Sequence, residues 1–298
     1  MSTVFNDKIF ADLAFQQVVN LLAPLRAFTT DISSAAKAKG DTIVCQLFDS
    51  VTATTFTQAT DVFEQTGGTV SAVTLSLDKR IITPVDLTTA QLMESTGANK
   101  MDAFAYQMAS ATATRILQDV FSVFTVSSFG APVTTASASF KLDALVALRA
   151  ALTSKLCPKA GRSLIIDDGV EAGLLGDTSF TQAQLRGSDR TLNEGELGRI
   201  MGFDIYTTTA LPSNSISLIG IACGKSGAAV AFRNIADVLP ADEYAAVETV
   251  TDNESGLSMT YTRHWSRAQG KWFMNFHGLY GFVKAVTKQV HLVCTATT

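Results

Sequence analysis

The chain has 298 residues, 17% of them charged, a formal net charge of −4 at pH 7 and four cysteines, and its length allows a large core in one elaborated domain or in two. The mildly acidic balance, with no run of lysine and arginine, excludes a dedicated nucleic-acid-binding protein, which carries a basic stripe. The cysteines form no Cys-x-x-Cys pair, which excludes a cysteine metal site and a disulfide framework, and every stretch of about 18 apolar residues is interrupted by a charge, which excludes a membrane-spanning helix.

The composition predicts a surface with few charges. The charged fraction lies well below the roughly 25% of ordinary soluble domains, and the mean hydropathy is +0.22. Because no membrane segment accounts for these values, we expect part of the surface to be covered by other subunits; a monomer with few surface charges is the alternative. Asp7 and Asp12 lie where a signal peptide would carry positive charge, so we expect no signal peptide and reduced thiols in a cytosol.

The first 80 residues predict an arm followed by a hairpin. Residues 1–39 contain apolar residues at helical spacing that are interrupted by Pro24, which predicts a helical arm outside the core. Strands are predicted at 42–48 and 70–77, where apolar and polar residues alternate. The threonine-rich segment between these strands carries few charges, so the pair predicts an extended β-hairpin that is poorly suited to burial in its own domain.

The sequence after residue 98 predicts two helices, followed by strands and short helices. Apolar residues at i, i+3, i+4 and i+7 predict a long helix, capped by Asn99, that reaches about residue 125 and is followed by a linker at 127–139. A second helix is predicted before Pro158, with one face made of Leu142, Leu145, Val146, Arg149 and Leu152. We then predict strands at 163–167, 203–207 and 216–222, helices at 170–175 and 227–232, and further strands at 246–251, 257–265, 272–276 and 282–293.

One segment resembles a phosphate-binding loop. Gly220 to Ser226 follows a predicted strand, precedes a predicted helix and ends in Gly-Lys-Ser. Only three residues separate Gly220 from Gly224, whereas that loop needs four, and the carboxylate-bearing strand Ser163–Asp168 comes before it instead of after it. We therefore interpret the segment as a tightly packed strand-to-helix turn.

Patterns for catalysis and metal binding are weak. His264, His277 and His291 lack His-x-x-x-His spacing, and the chain has no Gly-x-Ser-x-Gly nucleophile elbow. Asp167 and Asp168 could form a carboxylate pair, but capping of the turn that follows the strand is favoured. We therefore predict no catalytic residue, no cofactor and no metal site, and the protein is expected not to be an enzyme.

The segment from Glu194 to Pro212 carries a family resemblance. Its residues from Gly195 to Ile205 are similar to the Gly-x-(Ile/Leu)-Gly-x-(Ile/Leu)-x-Gly-(Phe/Tyr)-x-(Ile/Val) segment in the major capsid proteins of tailed bacteriophages. Three further segments resemble the start of that family's extended loop, its returning strand and its closing strand: Gly40–Ile43, Val73–Lys79 and Trp272–Val283. The order of elements also resembles that family, whose α+β fold is named after phage Hong Kong 97.

The resemblance implies four parts of the chain. They are an N-terminal arm (1–39), an extended loop formed by the hairpin (40–80), a peripheral domain (81–139 and 241–298) with a spine helix at about 99–125, and an axial α/β domain (140–240). It also implies candidate contacts between subunits, namely Phe48, Phe56, Phe63, Lys79, Arg80, Arg186, Arg190, Glu194, Glu196 and Arg199.

The implied function is structural. A chain of this family assembles as hexamers and pentamers into an icosahedral shell around a double-stranded DNA genome, without sequence-specific DNA binding and without a membrane. The implied location is the virion capsid, after assembly in the host bacterial cytoplasm. Portal and scaffolding proteins, and a decoration protein, are the implied partners; the short arm before Gly40 predicts that the scaffolding protein is a separate chain.

Two other functions stay open from the sequence. An encapsulin-type compartment shares this fold and encloses cargo enzymes. A nucleotide-binding α/β enzyme built around Gly220–Ser226 belongs to a different class and would form a compact oligomer that its ligand stabilises.

Overall fold

The structure is a computed structural model that describes residues 6–31, 39–48, 57, 70–94, 98–177, 198–234, 243–252 and 255–295. Its helices are α1 (Asp7–Leu21), α2 (Thr89–Glu94), α3 (Ala98–Phe121), α4 (Val126–Phe129), α5 (Leu142–Ser154) and α6 (Asp168–Leu175). Its strands are β1 (Thr29–Asp31), β2 (Thr42–Phe48), β3 (Val70–Ser76), β4 (Lys79–Leu87), β5 (Val133–Thr134), β6 (Arg162–Ile166), β7 (Arg199–Ile200), β8 (Phe203–Thr207), β9 (Leu218–Gly224), β10 (Ala228–Arg233), β11 (Ala246–Thr251), β12 (Ser258–Ser266), β13 (Lys271–Lys284) and β14 (Val290–Cys294). The predicted α+β class is confirmed.

The first sheet is organised around strand β13. Its strand order is β1-β10-β13-β12-β11, and β4 also pairs with β13. The sequence predicted two strands here, at 272–276 and 282–293, on either side of Gly278 and Gly281. That division is wrong: both glycines lie inside one strand of 14 residues, and β14 begins separately at Val290.

Two strands of the first sheet differ from the sequence prediction. The predicted helix at 227–232 is strand β10, whose six residues are all buried. A short apolar run that is buried on both faces has no period that separates strand from helix. Strand β4 was not predicted, because Pro84 lies inside it; Pro84 is exposed, and proline is tolerated in a strand whose outer edge is not hydrogen-bonded.

The second sheet has the order β5-β14-β9-β6-β8-β7. Strand β6 runs parallel to β8 and antiparallel to β9, and every residue of β6 and β9 is buried. Helices α5 and α6 cover this sheet through a core that includes Leu145, Leu148 and Leu174. The predicted strand at 203–207 is confirmed residue for residue as β8. Strand β14 brings the end of the described chain back to this sheet.

Helix α5 is anchored at its C-terminal end by Arg162. The buried guanidinium donates hydrogen bonds to the carbonyl oxygens of Arg149, Cys157 and Pro158, at 3.3, 2.7 and 2.9 Å. Arg149 belongs to α5, while Cys157 and Pro158 lie just beyond its C-terminal end, where the negative end of the helix dipole favours a cation. The buried face of α5 differs from the prediction, since it consists of Leu145, Leu148 and Leu152, while Val146 is 49% exposed.

The main core lies between the first sheet and helices α1 and α3. Helix α1 buries Phe10, Ala11, Ala14, Phe15 and Val18 in it, and the Phe10 ring lies 5.5 Å from that of Tyr261. The helical prediction for this region is confirmed, but its placement outside the core is wrong. The two phenylalanines at i and i+5 lie about 140° apart around the helix, and the alanines between them complete a wide apolar face that packs against the sheet.

An ion pair joins the start of α1 to strand β12. Asp7 accepts hydrogen bonds from Arg263 Nη2 at 3.0 Å and from the Tyr261 hydroxyl at 3.2 Å, and the Arg263 guanidinium lies 5.0 Å from the centre of the Trp272 ring. Burial raises the pKa of the Asp7 carboxyl, and the charge of Arg263 opposes that rise. The pair therefore fixes the N-terminal end of α1 on the sheet.

Helix α3 is the long helix predicted from the sequence. Its 24 residues span about 36 Å at 1.5 Å per residue, and its buried face includes Met108, Ile116 and Val120. It begins at Ala98, so Asn99 lies inside it and does not cap it. The predicted linker at 127–139 holds most of α4, together with β5 and a 3₁₀ turn, and connects α3 to α5.

Candidate assembly surface

The hairpin β2–β3 has one apolar and one uncharged polar face. Residues 42–48 pair with 70–76 in antiparallel register, which confirms the two predicted strands apart from Leu77. Ile43, Cys45 and Leu75 point inward and are buried, as is Leu77 just beyond β3. The exposed outer face consists of Thr42, Val44, Gln46, Ala72, Thr74 and Ser76. Alternation with a period of two therefore gives a ribbon that buries one face only.

The base of the hairpin is docked on the first sheet. Its inward residues form a small core with Ala229 and Ala231 of β10 and with Leu279 and Val283 of β13. Alternation along β10 and β13 places this core on the face opposite to the one that packs on α1 and α3, since Val230 and Tyr280 belong to the main core.

Gly281 makes the close approach of the hairpin possible. A Cβ atom at this position would lie 2.2 Å from the backbone oxygen of Ser76 and 2.8 Å from Leu75 Cδ2. Such distances exclude any side chain, because the main obstacle is backbone. The sequence reasoning missed this residue, although a second glycine inside an otherwise apolar strand is a signal for close backbone approach.

The outer face of the ribbon has the chemistry of a contact surface. Val44 is 60% exposed, and none of the six outward residues of β2 and β3 is charged. Strands exposed to solvent normally carry lysine or proline, which prevent pairing with other chains, and the residues of β2 and β3 include neither. A ribbon of this kind can pack against another chain through side chains and through backbone hydrogen bonds at its edges.

The predicted contact residues in the hairpin are only partly described. Phe48 ends strand β2, and its backbone pairs with Val70. Phe56 and Phe63 lie outside the described residues. Lys79 and Arg80 are exposed at the start of β4, opposite Tyr280 and Leu279 of β13, so they lie where the chain leaves the hairpin and enters the first sheet.

Arg199 is exposed in β7, at one edge of the second sheet. Its Nε lies 3.5 Å from Asp204 Oδ1, and both side chains are about half exposed, so this pair contributes little to the stability of the single chain. Gly198 and Gly202 have φ values of 55° and 84°, a region of backbone conformation that glycine adopts without steric cost. The other contact candidates of this region, Arg186, Arg190, Glu194 and Glu196, lie outside the described residues.

The segment Gly220–Ser226 is not a phosphate-binding loop. Residues up to Gly224 form strand β9, which pairs with β6 on one side and with β14 on the other. Its backbone groups are therefore committed to the sheet and cannot surround a phosphate. A Cβ at Gly224 would lie 2.7 Å from Gln289 Oε1, and one at Gly227 would lie 2.5 Å from Val290 Cγ2, so these glycines serve close packing. The predicted tight packing is confirmed; the predicted helix after it is wrong.

The histidines are packed strand residues. His277 Nε2 lies 2.8 Å from the hydroxyl of Thr262, and burial, with the charge of Arg80 as a further cause, lowers the pKa of His277 to about 4. His264 stacks on Phe273 at 5.5 Å between ring centres. His291 Nδ1 lies 3.3 Å from Lys155 Nζ, and burial and that ammonium lower the pKa of His291.

No arrangement for catalysis was found in the part of the chain that the structure describes. Asp167 occupies the N-cap position of α6, but its side chain makes no capping hydrogen bond, so the predicted capping role of the carboxylate is wrong. Among the described residues no three histidine, cysteine or carboxylate side chains come together as metal ligands.

The described helices include none that is both long and apolar enough to cross a membrane.

No protein-family model and no curated protein matches the sequence. Solved structures do match. One from Mycobacterium phage Che8 has 16% identity and a TM-score of 0.54 over 86% of this chain and 85% of its own. The capsid structure of cyanophage P-SCSP1u has 12% identity and a TM-score of 0.56, covering 91% and 87%. A virus-like particle from Pyrococcus furiosus has 10% identity and a TM-score of 0.51, covering 95% and 96%. The chain therefore has the phage-capsid fold that the resemblance implied.

Proposed function

We propose that this chain is the structural major capsid protein of a tailed phage, and that its copies assemble into an icosahedral shell around a double-stranded DNA genome. One observation carries the proposal. In a chain with the fold of capsid subunits, an uncharged ribbon is fixed to the outside of the first sheet and presents its outer face to solvent. That face is exposed and uncharged in the single chain, and a shell would bring another copy against it.

We propose that the four parts implied by the resemblance are the structural units of each shell subunit. The hairpin at 40–80 reaches a neighbouring copy, and the unit at 140–240 packs around the axes of hexamers and pentamers. Several strands pair across the proposed boundaries, among them β10, inside 140–240, which pairs with β13 of the first sheet, and β14, inside 241–298, which pairs with β9 of the second. These exchanges tie the peripheral and axial units together within one subunit.

The contents and partners of the shell follow from charge and from the fold. A net charge of −4 favours a shell that encloses DNA without holding it tightly and without reading its sequence. A portal, a separate scaffolding protein and a decoration protein are proposed partners, and assembly is proposed to occur in the host bacterial cytoplasm. A shell subunit of this kind needs no catalytic site, and we propose that the protein is not an enzyme.

Of the two alternatives, the enzyme built on Gly220–Ser226 loses its main support, because those residues up to Gly224 are a paired strand. The compartment alternative uses the same fold and differs only in what the shell encloses. The two shell functions are distinguished by the contents of particles isolated from cells, which are DNA in one case and a cargo protein in the other.

The test replaces Val44, an exposed large apolar residue on the outer face of the ribbon. Val44→Asp is expected to abolish shells, rings and tubes, because it adds a charge to a face that must lose water on contact, and Val44→Thr is the matched uncharged control. Purified wild-type protein and both variants are compared by sedimentation and negative-stain microscopy, with and without a co-expressed scaffolding candidate.

We expect assemblies from the wild type and from Val44→Thr, and a folded, dispersed subunit from Val44→Asp. Thermal unfolding controls for folding, and the midpoints should agree within about 3 °C, since the residue lies on the surface. A small uniform oligomer from all three chains under both conditions would contradict the proposal. Assemblies of Val44→Asp equal to wild type would exclude the ribbon as the contact.

A further inference from the structure

One end of the second sheet brings together four segments that are far apart in the sequence. These segments are residues 126–130, 155–161, 224–228 and 284–291. The strand pairing fixes their arrangement, because Arg162 at the start of β6 lies opposite Gly224 at the end of β9. On the other side of β9, Cys223 lies opposite Val290 at the start of β14. The segments that lead into β6 and β14 and out of β9 are therefore neighbours.

Two lysine side chains join α4 to this end of the sheet. Lys155 Nζ donates to the backbone oxygens of Val290, at 2.9 Å, and Phe129, at 3.4 Å. Lys284 Nζ lies 3.3 Å from the hydroxyl oxygen of Ser128. Residues 126–130 therefore lie against both the segment that follows α5 and the segment that precedes β14, and the four segments form one continuous surface.

This surface is positively charged, although the whole chain is acidic. The four segments contain five lysines and neither aspartate nor glutamate, in a chain with a net charge of −4. Lys159, Lys225 and Lys284 are exposed, and the ion pairs formed among the described residues do not involve them. On the neighbouring strand β8, Asp204 is already paired with Arg199. The fold thus creates a basic surface that no run of residues in the sequence indicates.

An exposed leucine lies between two of these lysines in the sequence. Leu156 is 68% exposed and has a φ value of 60°. It ends helix α5, since its nitrogen donates to the oxygen of Thr153 at 3.0 Å. The nitrogen of Cys157 donates to the oxygen of Leu152 at 3.0 Å, which completes a helix end that usually has glycine at this left-handed position.

The stability of the single chain does not account for this leucine. A side chain with a Cβ is disfavoured in the left-handed region, where glycine has no steric cost. The exposed apolar side chain also leaves most of its surface in water. Residues that break a local preference in this way are concentrated at functional positions. We define the lysine surface as Leu156 with Lys159, Lys225 and Lys284.

We propose that the lysine surface binds an acidic segment of a partner protein, and that an apolar side chain of this segment packs on Leu156. Carboxylates of the segment would pair with the exposed ammonium groups, which favours rapid and selective association. The apolar contact would remove the leucine from water and add affinity that exposed ion pairs alone do not supply. This binding belongs to the single subunit and does not depend on the proposed shell.

Leu156 favours a polypeptide over DNA as the partner. Protein groups that contact the DNA backbone are charged or polar, so a leucine at the centre of the surface would have nothing to pack against. The few lysines present would also give only weak binding to phosphates at physiological salt. An acidic segment with an apolar side chain satisfies both parts of the surface.

The test measures binding of fluorescent probes to the unassembled full chain by anisotropy. The probes are a helical peptide of glutamate and leucine, the same peptide with glutamine in place of every leucine, and a short DNA duplex. Leu156→Gly removes the apolar side chain, and Leu156→Met keeps one. Lys159→Glu reverses one charge of the lysine surface, and Lys141→Glu, at the opposite end of α5, is the matched control because Lys141 is also exposed.

We expect the wild type to bind the glutamate–leucine peptide at least about tenfold more tightly than the glutamine peptide or the duplex. Leu156→Gly and Lys159→Glu should each weaken that binding about fivefold or more, and Leu156→Met and Lys141→Glu should stay within about twofold of the wild type. The midpoint of thermal unfolding of Leu156→Gly should equal or exceed that of the wild type, because glycine suits the left-handed backbone. Its loss of binding would then not result from unfolding.

Equal binding of the two peptides, or unchanged binding in Leu156→Gly, would overturn the proposal, because charge alone would then explain the surface. Tighter binding of the duplex than of either peptide would assign the lysine surface to DNA. Loss of self-association in Lys159→Glu with unchanged peptide binding would assign it to a second copy of the chain. These measurements use the dispersed subunit, so their failure leaves the proposed function untouched.

Discussion

Gly281→Val is expected to release the base of the hairpin β2–β3 from the first sheet and to lower the free energy of unfolding by about 3 kcal/mol, at the upper end for overpacked cores. The new Cβ would lie 2.2 Å from the backbone oxygen of Ser76, so the strand cannot stay in place. Leu75 and Leu77, which are completely buried, would then be exposed. Urea unfolding measures the stability, and limited proteolysis measures the release of the hairpin. We expect no assembly from this variant.

Gly278→Ala is the matched control, because Gly278 lies in the same strand, three residues earlier. Its Cβ would lie 2.9 Å from Met259 Cε and 3.2 Å from Ile81 Cγ2, which are ends of side chains that can move. A loss below about 1.5 kcal/mol is expected for it, with the hairpin still protected. If both variants lose the same stability and keep the same protease resistance, Gly281 does not dock the hairpin.

Acidification from pH 7 to pH 4.5 is expected to lower the free energy of unfolding by about 2.5 kcal/mol through His277 alone. Burial lowers the pKa of this histidine from 6.5 to about 4 in the folded protein, with smaller effects of Arg80 and His264. Between these values the unfolded chain binds a proton that the folded chain does not. The contribution is therefore present above pH 6.5 and is lost as the pH falls towards 4.

The measurement is urea unfolding of the wild type and of His277→Gln at pH 7, 5.5 and 4.5. Glutamine can still hydrogen-bond Thr262 but does not titrate, so the difference between the two chains should change by about 2.5 kcal/mol across this range. Other groups also make the stability depend on pH: the lowered pKa of His291 acts in the same direction as His277, and the raised pKa of Asp7 acts in the opposite direction. Because both chains contain these groups, their contributions cancel when the two chains are compared at each pH. A constant difference between the two chains would contradict the burial of a neutral His277.

The hairpin, the long helix and strand β8 could be predicted because each has a regular period with marked ends. In β2 and β3, apolar residues alternate with threonine and serine, and in β8 the glycine at 202 and the alternation of Phe203 and Ile205 set the register. The start of α3 was predicted wrongly, since Asn99 has the chemistry of a cap but lies one residue inside the helix.

The remaining errors arise where tertiary contacts decide the structure. Strand β10 is buried on both faces, so its apolar run carries no period. Helix α1 depends on the sheet that covers Phe10 and Phe15, and strand β4 depends on β13, which tolerates Pro84 on its neighbour. Gly281 is distinguished from Gly278 only by the approach of the Ser76 backbone. Contacts between copies stay predictions, since they involve more than one chain.

The most direct measurement for the proposed function is a cryo-electron microscopy reconstruction of the particles that the wild-type chain forms. We expect a closed shell of five- and six-membered rings in which the outer face of β2–β3, including Val44 and Thr74, lies against a neighbouring copy. A reconstruction of a compact oligomer without such rings, or of a shell in which that face of every subunit remains exposed to solvent, would contradict it.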